Sequence, residues 1–427
     1  MSDWKLHESA LLDERYYSCV HPSALPIYVF PKKMSTTYAM LAVKYGAVDN
    51  LANEQGAALL PDGVAHFLEH KLFANEDGSD AFEHFSAFGA DANAYTAHSR
   101  TVYLFSCAEK FDESLAELID FVIHPYFTRE NVEKEKGIIA EEIRMCRDDP
   151  YDRCYRNMLM GLYQRHPVRV DICGSERSIG EITEQTLYRA YHDFYELSNM
   201  ALVICGDVTP ERVMEIANEH LPASAAPHSV ERVTISEPAG IVKPFLQAVG
   251  QVAKPIFCIG IKDTEVPSDP ALCMKRDATM EILCEMLFSD TGELYNTLLD
   301  KGLISPEFST GYTLTRDFGF LRISGEADAP ELVLREIKDF LQKALQNGLS
   351  EQEFEHCRRI VFAEYIKGFD STEEIADNLV AFLFDGVDIF DYPAVIQSVT
   401  KEDAEQLAKE FFVPERFTLS VVRAGEE

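Results

Sequence analysis

The sequence has no long apolar run. Across its 427 residues, no apolar stretch reaches about 18 residues, the length that a helix needs to cross a bilayer. The first residues, MSDWKLHESALLDERYY, are charged and do not contain the apolar segment of a secretory signal. We therefore expect a cytoplasmic protein rather than a membrane-spanning or secreted one.

Cationic residues are scarce. The chain carries 39 lysines and arginines against 72 aspartates and glutamates, which gives a formal net charge of −33. A surface of this charge repels nucleic acid and anionic membrane, so we expect neither as a partner. The charge is compatible with cationic peptide substrates, although acidic solubility alone also explains it.

Closely spaced cysteine pairs are absent too. None of the ten cysteines lies in a C-x-x-C spacing. Several lie inside apolar segments, such as Cys205 in LVICGDV and Cys258 in IFCIGI. This pattern excludes a disulfide framework and is typical of reduced, buried thiols in a cytosolic protein.

A segment rich in Pro, Ala and Ser separates two halves of similar length. Residues 222–240 lie in this segment, have weak periodicity and are predicted to form a linker between domains 1–221 and 241–427. Each half mixes strand-like and helical segments and ends in a strand, MALVICGDV in the first half and RFTLSVV in the second. The shared order predicts an α+β fold and hints at an old duplication.

Residues 62–73, DGVAHFLEHKLF, place two histidines and a glutamate in an apolar segment with helical spacing. On an α-helix, His66 and His70 are about 40° apart in rotation and roughly 6 Å apart along the axis, so their rings can converge on one ion. Glu69 shares that face and could take a proton from a water molecule that a zinc ion activates. A polar helix face with hydrogen-bonded histidines is the alternative that the motif leaves open.

A catalytic zinc ion needs a third protein ligand. The predicted helix EKEKGIIAEEIRM offers Glu135 and Glu142, which share one face about 10 Å apart along the axis. Only one of them could bind the ion directly, and the other would then support the site through hydrogen bonds. Glu141 is rotated about 100° away. The spacing alone does not choose between Glu135 and Glu142, and a solvated acidic face remains the other interpretation.

Three segments together resemble the pitrilysin/insulinase family of zinc peptidases (peptidase family M16), which includes the mitochondrial processing peptidase relatives. They are DGVAHFLEHKLF, FGADANAYTAHSRTVYLFS and VEKEKGIIAEEIRMCRDDP, in the order and spacing of that family. The H-x-x-E-H motif is a known metallopeptidase signature. YGAVDN, HPVRVDICGS and LYNTLLDKGLI also resemble a bacterial YmfH-like branch. The resemblance implies two homologous α+β domains, each an antiparallel-rich β-sheet with helices packed on one face.

The resemblance also implies a role for each polar residue of the site. His66, His70 and Glu142 would be the ligands of one Zn²⁺ per chain. Glu69 would be the catalytic general base that acts on the zinc-activated water, and Glu135 would be the supporting catalytic carboxylate. The expected function is that of a zinc-dependent metalloendopeptidase that cleaves peptides or unfolded protein segments.

In this family, the substrate lies extended and adds as a strand to an edge of the catalytic domain, which binds main chain and tolerates many sequences. The residues that match this edge strand are Asn93, Ala94, Tyr95 and Thr96. An ordinary strand with a packed Tyr95 explains the same segment without a substrate.

The second half departs from the family pattern. Many bacterial relatives have R-E-K-x-G-L-A-Y there, and the Arg and Tyr bind the substrate backbone. This chain has Leu298 and Ser305 at those positions, and neither can donate the same hydrogen bonds. The second half also lacks H-x-x-E-H, so it is expected to be a homologous domain without metal.

Relatives that carry the metal site on one chain and the substrate-binding Arg and Tyr on another work as heterodimers. The resemblance therefore implies a homologous metal-free subunit as a partner. Tyr295 or Tyr312 could instead replace the missing contacts within this chain, and a homodimer is then the expected alternative. A weakly active or non-proteolytic processing or scaffold subunit of a modification pathway is the alternative function.

Overall fold

The computed structural model describes residues 4–49, 60–226, 229–230, 232–233 and 235–425. The chain divides into two compact units that alternate along the sequence. Unit 1 comprises Met1–Ile143, Asp171–Val233 and Lys367–Phe384. Unit 2 comprises Arg144–Val170, Thr234–Ile366 and Asp385–Glu427. The linear division at 222–240 stays a prediction, and residues 227, 228, 231 and 234 of that linker lie outside the described residues.

Unit 1 contains a mixed sheet of seven strands within the described ranges. They are β1 (Lys5–Ser9), β2 (Glu14–Val20), β3 (Pro26–Pro31), β4 (Thr37–Val43), β5 (Asp91–Thr96), β6 (Thr101–Cys107) and β7 (Met200–Gly206). Their order is β1-β2-β3-β7-β4-β6-β5. Neighbours pair antiparallel except β3 and β7, which are parallel. The central strands β4 and β7 are buried along their whole length, which explains their continuous apolar sequences.

Among the described residues up to 220, the helices are α1 (Val64–Leu72), α2 (Ala81–Phe88), α3 (Phe111–Ile123), α4 (Arg129–Asp148), α5 (Pro150–Leu162), α6 (Glu176–Gly180), α7 (Glu184–Phe194) and α8 (Pro210–His220). The main core of unit 1 lies between one face of the sheet and helices α1, α3, α7 and α8. Alternate strand residues such as Leu41, Phe105 and Ile204 meet Phe67 and Leu68 of α1 in this core. The predicted helix at the H-x-x-E-H motif is confirmed.

Unit 2 has a five-stranded sheet in the part of the chain that the structure describes. Its strands are β8 (Phe245–Val249), β9 (Ile256–Asp263), β10 (Ser309–Leu314), β11 (Gly319–Glu326) and β12 (Phe417–Arg423). The helices described after residue 240 are α9 (Pro270–Phe288), α10 (Glu293–Asp300), α11 (Pro330–Asn347), α12 (Glu351–Lys367), α13 (Thr372–Asp385), α14 (Tyr392–Ser398) and α15 (Lys401–Phe411). They belong to unit 2 except α13, which lies almost entirely in unit 1.

The two sheets share one topology. The strand order β3-β7-β4-β6-β5 of unit 1 corresponds to β8-β12-β9-β11-β10 of unit 2. In each case the closing strand pairs in parallel with the first of the five, and the other pairs are antiparallel. The two-domain α+β fold is therefore confirmed, and the shared order is what a duplication predicts.

Each unit also takes a helix from the other half of the sequence. Helix α5 packs closely on β9 and β12 of unit 2, since a Cβ at Gly161 would lie 2.4 Å from Thr418 Oγ1 and one at Gly260 would lie 2.5 Å from Met158 Cγ. In unit 1, the segment that leads into α13 contributes Phe369, which packs on Phe30 of β3. No helix among the described residues is long and apolar enough to span a membrane.

Candidate metal centre

Two glycines fix the start of helix α1. Gly63 precedes the helix with φ 91°, a left-handed conformation, and a Cβ there would lie 2.5 Å from the carbonyl oxygen of Cys173. Gly174 has φ 76°, and its Cβ would lie 2.5 Å from the carbonyl oxygen of Asp62. Because both chain segments touch through positions without side chains, the loop around Cys173 lies directly against the helix that carries the motif.

His66, His70 and Glu142 form a cluster of possible metal ligands. His66 Nε2 lies 3.5 Å from Glu142 Oε1, and His70 Nε2 lies 3.5 Å from Glu142 Oε2. One ligand atom from each residue lies within 4.8 Å of the others. Helix α1 supplies the two imidazoles, and α4 brings Glu142 to them. Among the described residues, this is the group of His, Cys, Asp and Glu side chains that meets the geometric condition for a metal site.

The cluster fits a zinc ion. Ligand atoms about 2.0–2.1 Å from a tetrahedral zinc lie roughly 3.3 Å from one another, close to the separations observed here. Two imidazole nitrogens and one carboxylate oxygen are a donor set that catalytic zinc sites use, with a fourth position open. His66 is 7 % exposed, and its Nδ1 atom is buried without a hydrogen-bond partner among the described residues. Its Nε2 atom therefore is the nitrogen that faces the cluster.

Glu135 lies on α4 about two helical turns before Glu142, and its carboxylate contacts the ring of His70. Glu135 Oε1 lies 3.1 Å from His70 Nδ1, and its Oε2 accepts a hydrogen bond of 3.1 Å from Lys71 Nζ. Because an ionised carboxylate only accepts, His70 donates the proton on Nδ1 to Glu135, and in the neutral ring the lone pair of Nε2 is then available to a metal ion. Glu135 thus lies outside the cluster and contacts it through His70, and its supporting role stays a prediction.

The charges of the cluster shift the pKa values of its members. Burial alone would lower the pKa of His66, but the Glu142 hydrogen bond and the charges of Glu69, Glu142 and Asp171 raise it above its usual value. The His66 contact lowers the pKa of Glu142 against the effect of burial. Burial would raise the pKa of Glu135, and the contacts from His70 and Lys71 lower it instead. These carboxylates are therefore held in the ionised form that a cation requires.

Glu69 lies beside the cluster without joining it. Its side chain is 9 % exposed, and Oε2 accepts a hydrogen bond of 2.5 Å from Thr96 Oγ1 at the end of β5. It also lines a cavity of about 730 Å³ together with His70, Glu135 and the apolar residues Phe73 and Phe82. A nearly buried carboxylate at the wall of an accessible cavity, next to a possible metal site, can exchange a proton with a molecule in that cavity.

The predicted substrate strand is an edge of the sheet. Strand β5 pairs with β6 on one side, and the described residues place no strand on its other side. Asn93 is exposed, while Ala94 is half-buried against the core. Tyr95 donates a hydrogen bond of 2.8 Å from its hydroxyl to Asp377 Oδ1, so this side chain has a partner within unit 1. The main chain of β5 is nevertheless placed to pair with an added strand.

The positions that depart from the family pattern lie in unit 2. Leu298 is completely buried in helix α10, and the Ser305 hydroxyl is buried without a hydrogen-bond partner in the described ranges. Tyr312 donates its hydroxyl proton to Asp263, which also binds Arg276. The Tyr295 hydroxyl lies 3.4 Å from the Pro306 carbonyl oxygen. Tyr312 is therefore occupied within its own unit, and Tyr295 has the weaker of the two contacts.

Sequence reasoning missed two neighbours of the cluster. Cys173 Sγ lies 3.9 Å from His66 Nε2, although no sequence spacing links the two residues. The loop contact at Gly63 and Gly174 brings them together, and a sequence carries no local signal for such a contact. Lys71 follows His70 directly, so its position beside the site was visible, but its pairing with Glu135 needed the position of α4.

Two family descriptions match most of the chain. Residues 33–176 match the family described as "Insulinase (Peptidase family M16)". Residues 181–361 match the description "Peptidase M16 inactive domain". The cluster residues all lie within the first match. The second match covers much of the half in which no H-x-x-E-H motif occurs.

Individual proteins are similar over nearly the whole chain. A Bacillus subtilis protein described as "Uncharacterized zinc protease YmfH" is 36 % identical over 418 residues, which are 96 % of this chain and 97 % of that protein. A crystal structure described as M16-like, from Alicyclobacillus acidocaldarius, has a TM-score of 0.92 and 31 % identity, and the match covers 100 % of this chain and 99 % of that one. A protease structure from Helicobacter pylori shares the fold, with a TM-score of 0.83, 18 % identity and coverage of 96 % and 100 %.

Proposed function

The chain belongs to the insulinase family of peptidases, M16, and from this we propose that it is a zinc-dependent metalloendopeptidase acting on peptides or unfolded protein segments. The observation that carries the proposal is the convergence of His66, His70 and Glu142 within 4.8 Å, with Glu69 beside them on the same helix. Its relatives are named zinc proteases, which supports zinc as the metal. One ion per chain is the proposed stoichiometry.

His66, His70 and Glu142 would hold the ion, and Glu135 would fix the ring of His70 through Nδ1. When bound, zinc supplies a Lewis acid that polarises a carbonyl and lowers the pKa of water. The neutral form of both imidazoles is needed for this role. In the absence of metal, the raised pKa of His66 reflects the surrounding carboxylates, so metal and proton compete for the same nitrogen.

Glu69 would act as general base and then as general acid. It would accept a proton from the attacking water and return it to the leaving amine. The Thr96 hydroxyl donates to Oε2 and would hold the carboxylate so that Oε1 faces the substrate. Because Thr96 also ends β5, the same residue would connect the position of the base to the strand on which the peptide lies.

The substrate would add to the free edge of β5, at Asn93, Ala94, Tyr95 and Thr96. Main-chain hydrogen bonds to a strand edge do not depend on sequence, so we expect broad cleavage of extended segments. A folded protein offers few unpaired strands of this kind and should resist cleavage. The cavity of about 730 Å³ at Glu69 and His70 gives space for a substrate side chain next to the reaction site.

We further propose a homologous metal-free subunit as partner. Leu298 is buried, and Ser305 offers neither the charge nor the reach of the Arg and Tyr that relatives have at those positions. Tyr312 donates its hydroxyl to Asp263, which argues against it as a replacement. A zinc-loaded homodimer that cleaves peptides at full rate alone would contradict the heterodimer.

The test is cleavage of an unstructured, mixed-sequence peptide pool by the purified chain, with products identified by mass spectrometry. We expect that cleavage, by the chain alone or after a homologous subunit is added, is abolished by a chelator and restored by zinc. Glu219→Gln, an exposed substitution on α8, is a matched control that should cleave as the wild type does. Cleavage that persists after complete metal removal would contradict the proposal. Absence of cleavage with zinc bound, followed by activity on adding a homologous subunit, would support the heterodimer.

A further inference from the structure

A second cavity lies on the other face of strand β5. Successive residues of a strand point to opposite faces of the sheet, so Ala92, Ala94 and Thr96 face the core and Glu69. Asp91, Asn93 and Tyr95 alternate with them and line a cavity of about 550 Å³, and Asn93 also borders the cavity at Glu69. Its opposite wall is the start of α13 and the residues just before it. We call this cavity the acidic groove.

The groove is lined by carboxylates. Asp91 of β5 faces Asp370, Glu373 and Asp377 near the start of α13, and no lysine or arginine is among the lining residues. Asp377 accepts the Tyr95 hydroxyl, and Arg100 is the cation next to that hydroxyl. Asp91, Asp370 and Glu373 form no ion pair within the described ranges. Arg100 lies near Asp377, so the negative charge without a paired cation is that of Asp91, Asp370 and Glu373.

A tyrosine hydroxyl adds a neutral polar group to the same wall. Tyr38 of β4 lines the groove, and 7 % of the residue is exposed, while no hydrogen bond from its hydroxyl to another described residue is observed. The hydroxyl oxygen is therefore available to a group that enters the groove. Burial, together with the charges of Glu373, Asp377 and Asp91, raises the pKa of Tyr38 well above its usual range, so the hydroxyl stays protonated beside these carboxylates. A cationic side chain in the groove would give the Tyr38 oxygen a donor.

We propose that the acidic groove binds a lysine or arginine side chain of the same extended peptide that adds to β5. The proposal rests on the proposed function, because it takes the edge of β5 as the peptide's position. It assigns Asp91 and Glu373 as specificity-determining residues, and it names peptides with cationic residues at alternate positions as the preferred substrates.

The geometry of an added strand supports this assignment. Its side chains alternate between the two faces of the sheet, at about 6.6–6.8 Å for every second residue. When one side chain points to the cavity at Glu69, its two neighbours point to the face that holds the groove. A cation there would be attracted by carboxylates from both walls, whereas an acidic side chain would be repelled.

The test uses two fluorescent 12-residue peptides with the same composition and net charge. One has lysines at every second position, and the other has them in one block. Binding to zinc-loaded Glu69→Gln protein is measured by fluorescence anisotropy, so that no cleavage is required. We expect the alternating peptide to bind about three- to tenfold more tightly, with the difference decreasing at high salt. Attraction by the net charge alone would give equal affinities and overturn the proposal.

Variants of the groove residues test whether the groove causes the tighter binding of the alternating peptide. Asp91→Asn with Glu373→Gln should remove the preference, and Tyr38→Phe should reduce it, while binding of an uncharged peptide stays unchanged and reports an intact fold. Glu211→Gln with Glu219→Gln neutralises two exposed carboxylates elsewhere in unit 1 and should keep the preference. A preference that survives in the groove variant would overturn the proposal. Any homologous subunit that cleavage requires is present in all of these measurements, and if no peptide binds under that condition, the proposed peptidase function itself is contradicted.

Discussion

His70 Nδ1 lies 3.1 Å from Glu135 Oε1, while Nε2 of the same ring lies 3.5 Å from Glu142. One imidazole thus connects two glutamates that are seven residues apart on α4. The Glu135 carboxylate accepts the proton that His70 carries on Nδ1, and the Glu142 carboxylate lies on the Nε2 side of the ring. The two glutamates therefore differ in role although they have the same chemistry and lie on the same helix face.

The two glutamates should differ in their effect on metal affinity. Glu142→Gln removes the charge of the proposed ligand, so zinc affinity should fall by much more than the roughly 10–100-fold expected for Glu135→Gln, which removes the proposed supporting contact. Competition with a chromophoric chelator measures both. Glu141→Gln, exposed on the same helix, is the matched control. Equal losses for the two variants would contradict the assignment of ligand and support.

Replacing the base should separate chemistry from metal binding. Glu69→Gln keeps the shape of the side chain but cannot accept a proton, so peptide cleavage should fall by about 10²–10⁴-fold. Zinc content should stay as in the wild type, because Glu69 lies outside the ligand cluster. Metal analysis and cleavage assays on one preparation measure both. Unchanged cleavage with zinc bound would exclude Glu69 as the base.

Thr96 is expected to act through Glu69. Thr96→Val keeps the shape but removes the hydroxyl that donates to Oε2, and hydrogen bonds to charged groups are typically worth about 1.5–3 kcal/mol. We expect kcat to fall about tenfold with little change in KM, since the peptide binds the main chain of β5. Thr96→Ser restores the donor and should restore kcat. A rise in KM with kcat unchanged would assign Thr96 to substrate binding alone.

Glu281 on helix α9 of unit 2 should make the free energy of unfolding depend on pH. Burial, with the charges of Asp277 and Glu364, raises the pKa of Glu281 to about 7. The unfolded chain loses this proton near pH 4.3, whereas the folded chain keeps it up to about pH 7. The unfolded state therefore binds fewer protons over this window, and Glu281 lowers the free energy of unfolding as pH rises.

Glu281→Gln removes this titration. Because the side chain is partly exposed, we expect the variant to gain about 1–2 kcal/mol relative to wild type between pH 4.5 and pH 8. Urea unfolding at a series of pH values measures the difference, and Glu219→Gln should show no such trend. A difference between variant and wild type that is constant with pH would contradict the raised pKa.

The sequence predicted the local parts of the site better than the assembled ones. The four-residue spacing of His66 and His70 defines their geometry within one helix, so their convergence followed from periodicity. The distinction between Glu135 and Glu142 did not, because it depends on how α4 lies against α1. The contact of Thr96 with Glu69 likewise joins the end of a strand to a helix, and no regular spacing in the sequence indicates it.

The fold shows the same division between local and distant information. The strands β4 and β7 were evident from their apolar sequences, and the α+β class followed from the order of elements. The exchange of α5 and α13 between the units was not predicted, because each helix has an ordinary amphipathic sequence that is compatible with either sheet. The acidic groove depends on that exchange, since α13 supplies Glu373 and Asp377, and Asp370 lies just before it, all more than 270 residues beyond β5.

The most direct test of the account is a zinc titration of chelator-stripped protein. Peptide cleavage and bound zinc are followed together as zinc is added, for the wild type and for Glu142→Gln, with any homologous subunit that cleavage requires present throughout. We predict that cleavage rises in proportion to bound zinc and reaches its maximum at one ion per chain, and that Glu142→Gln shows neither tight binding nor recovery. Full cleavage before zinc is added, or recovery in Glu142→Gln equal to wild type, would contradict it.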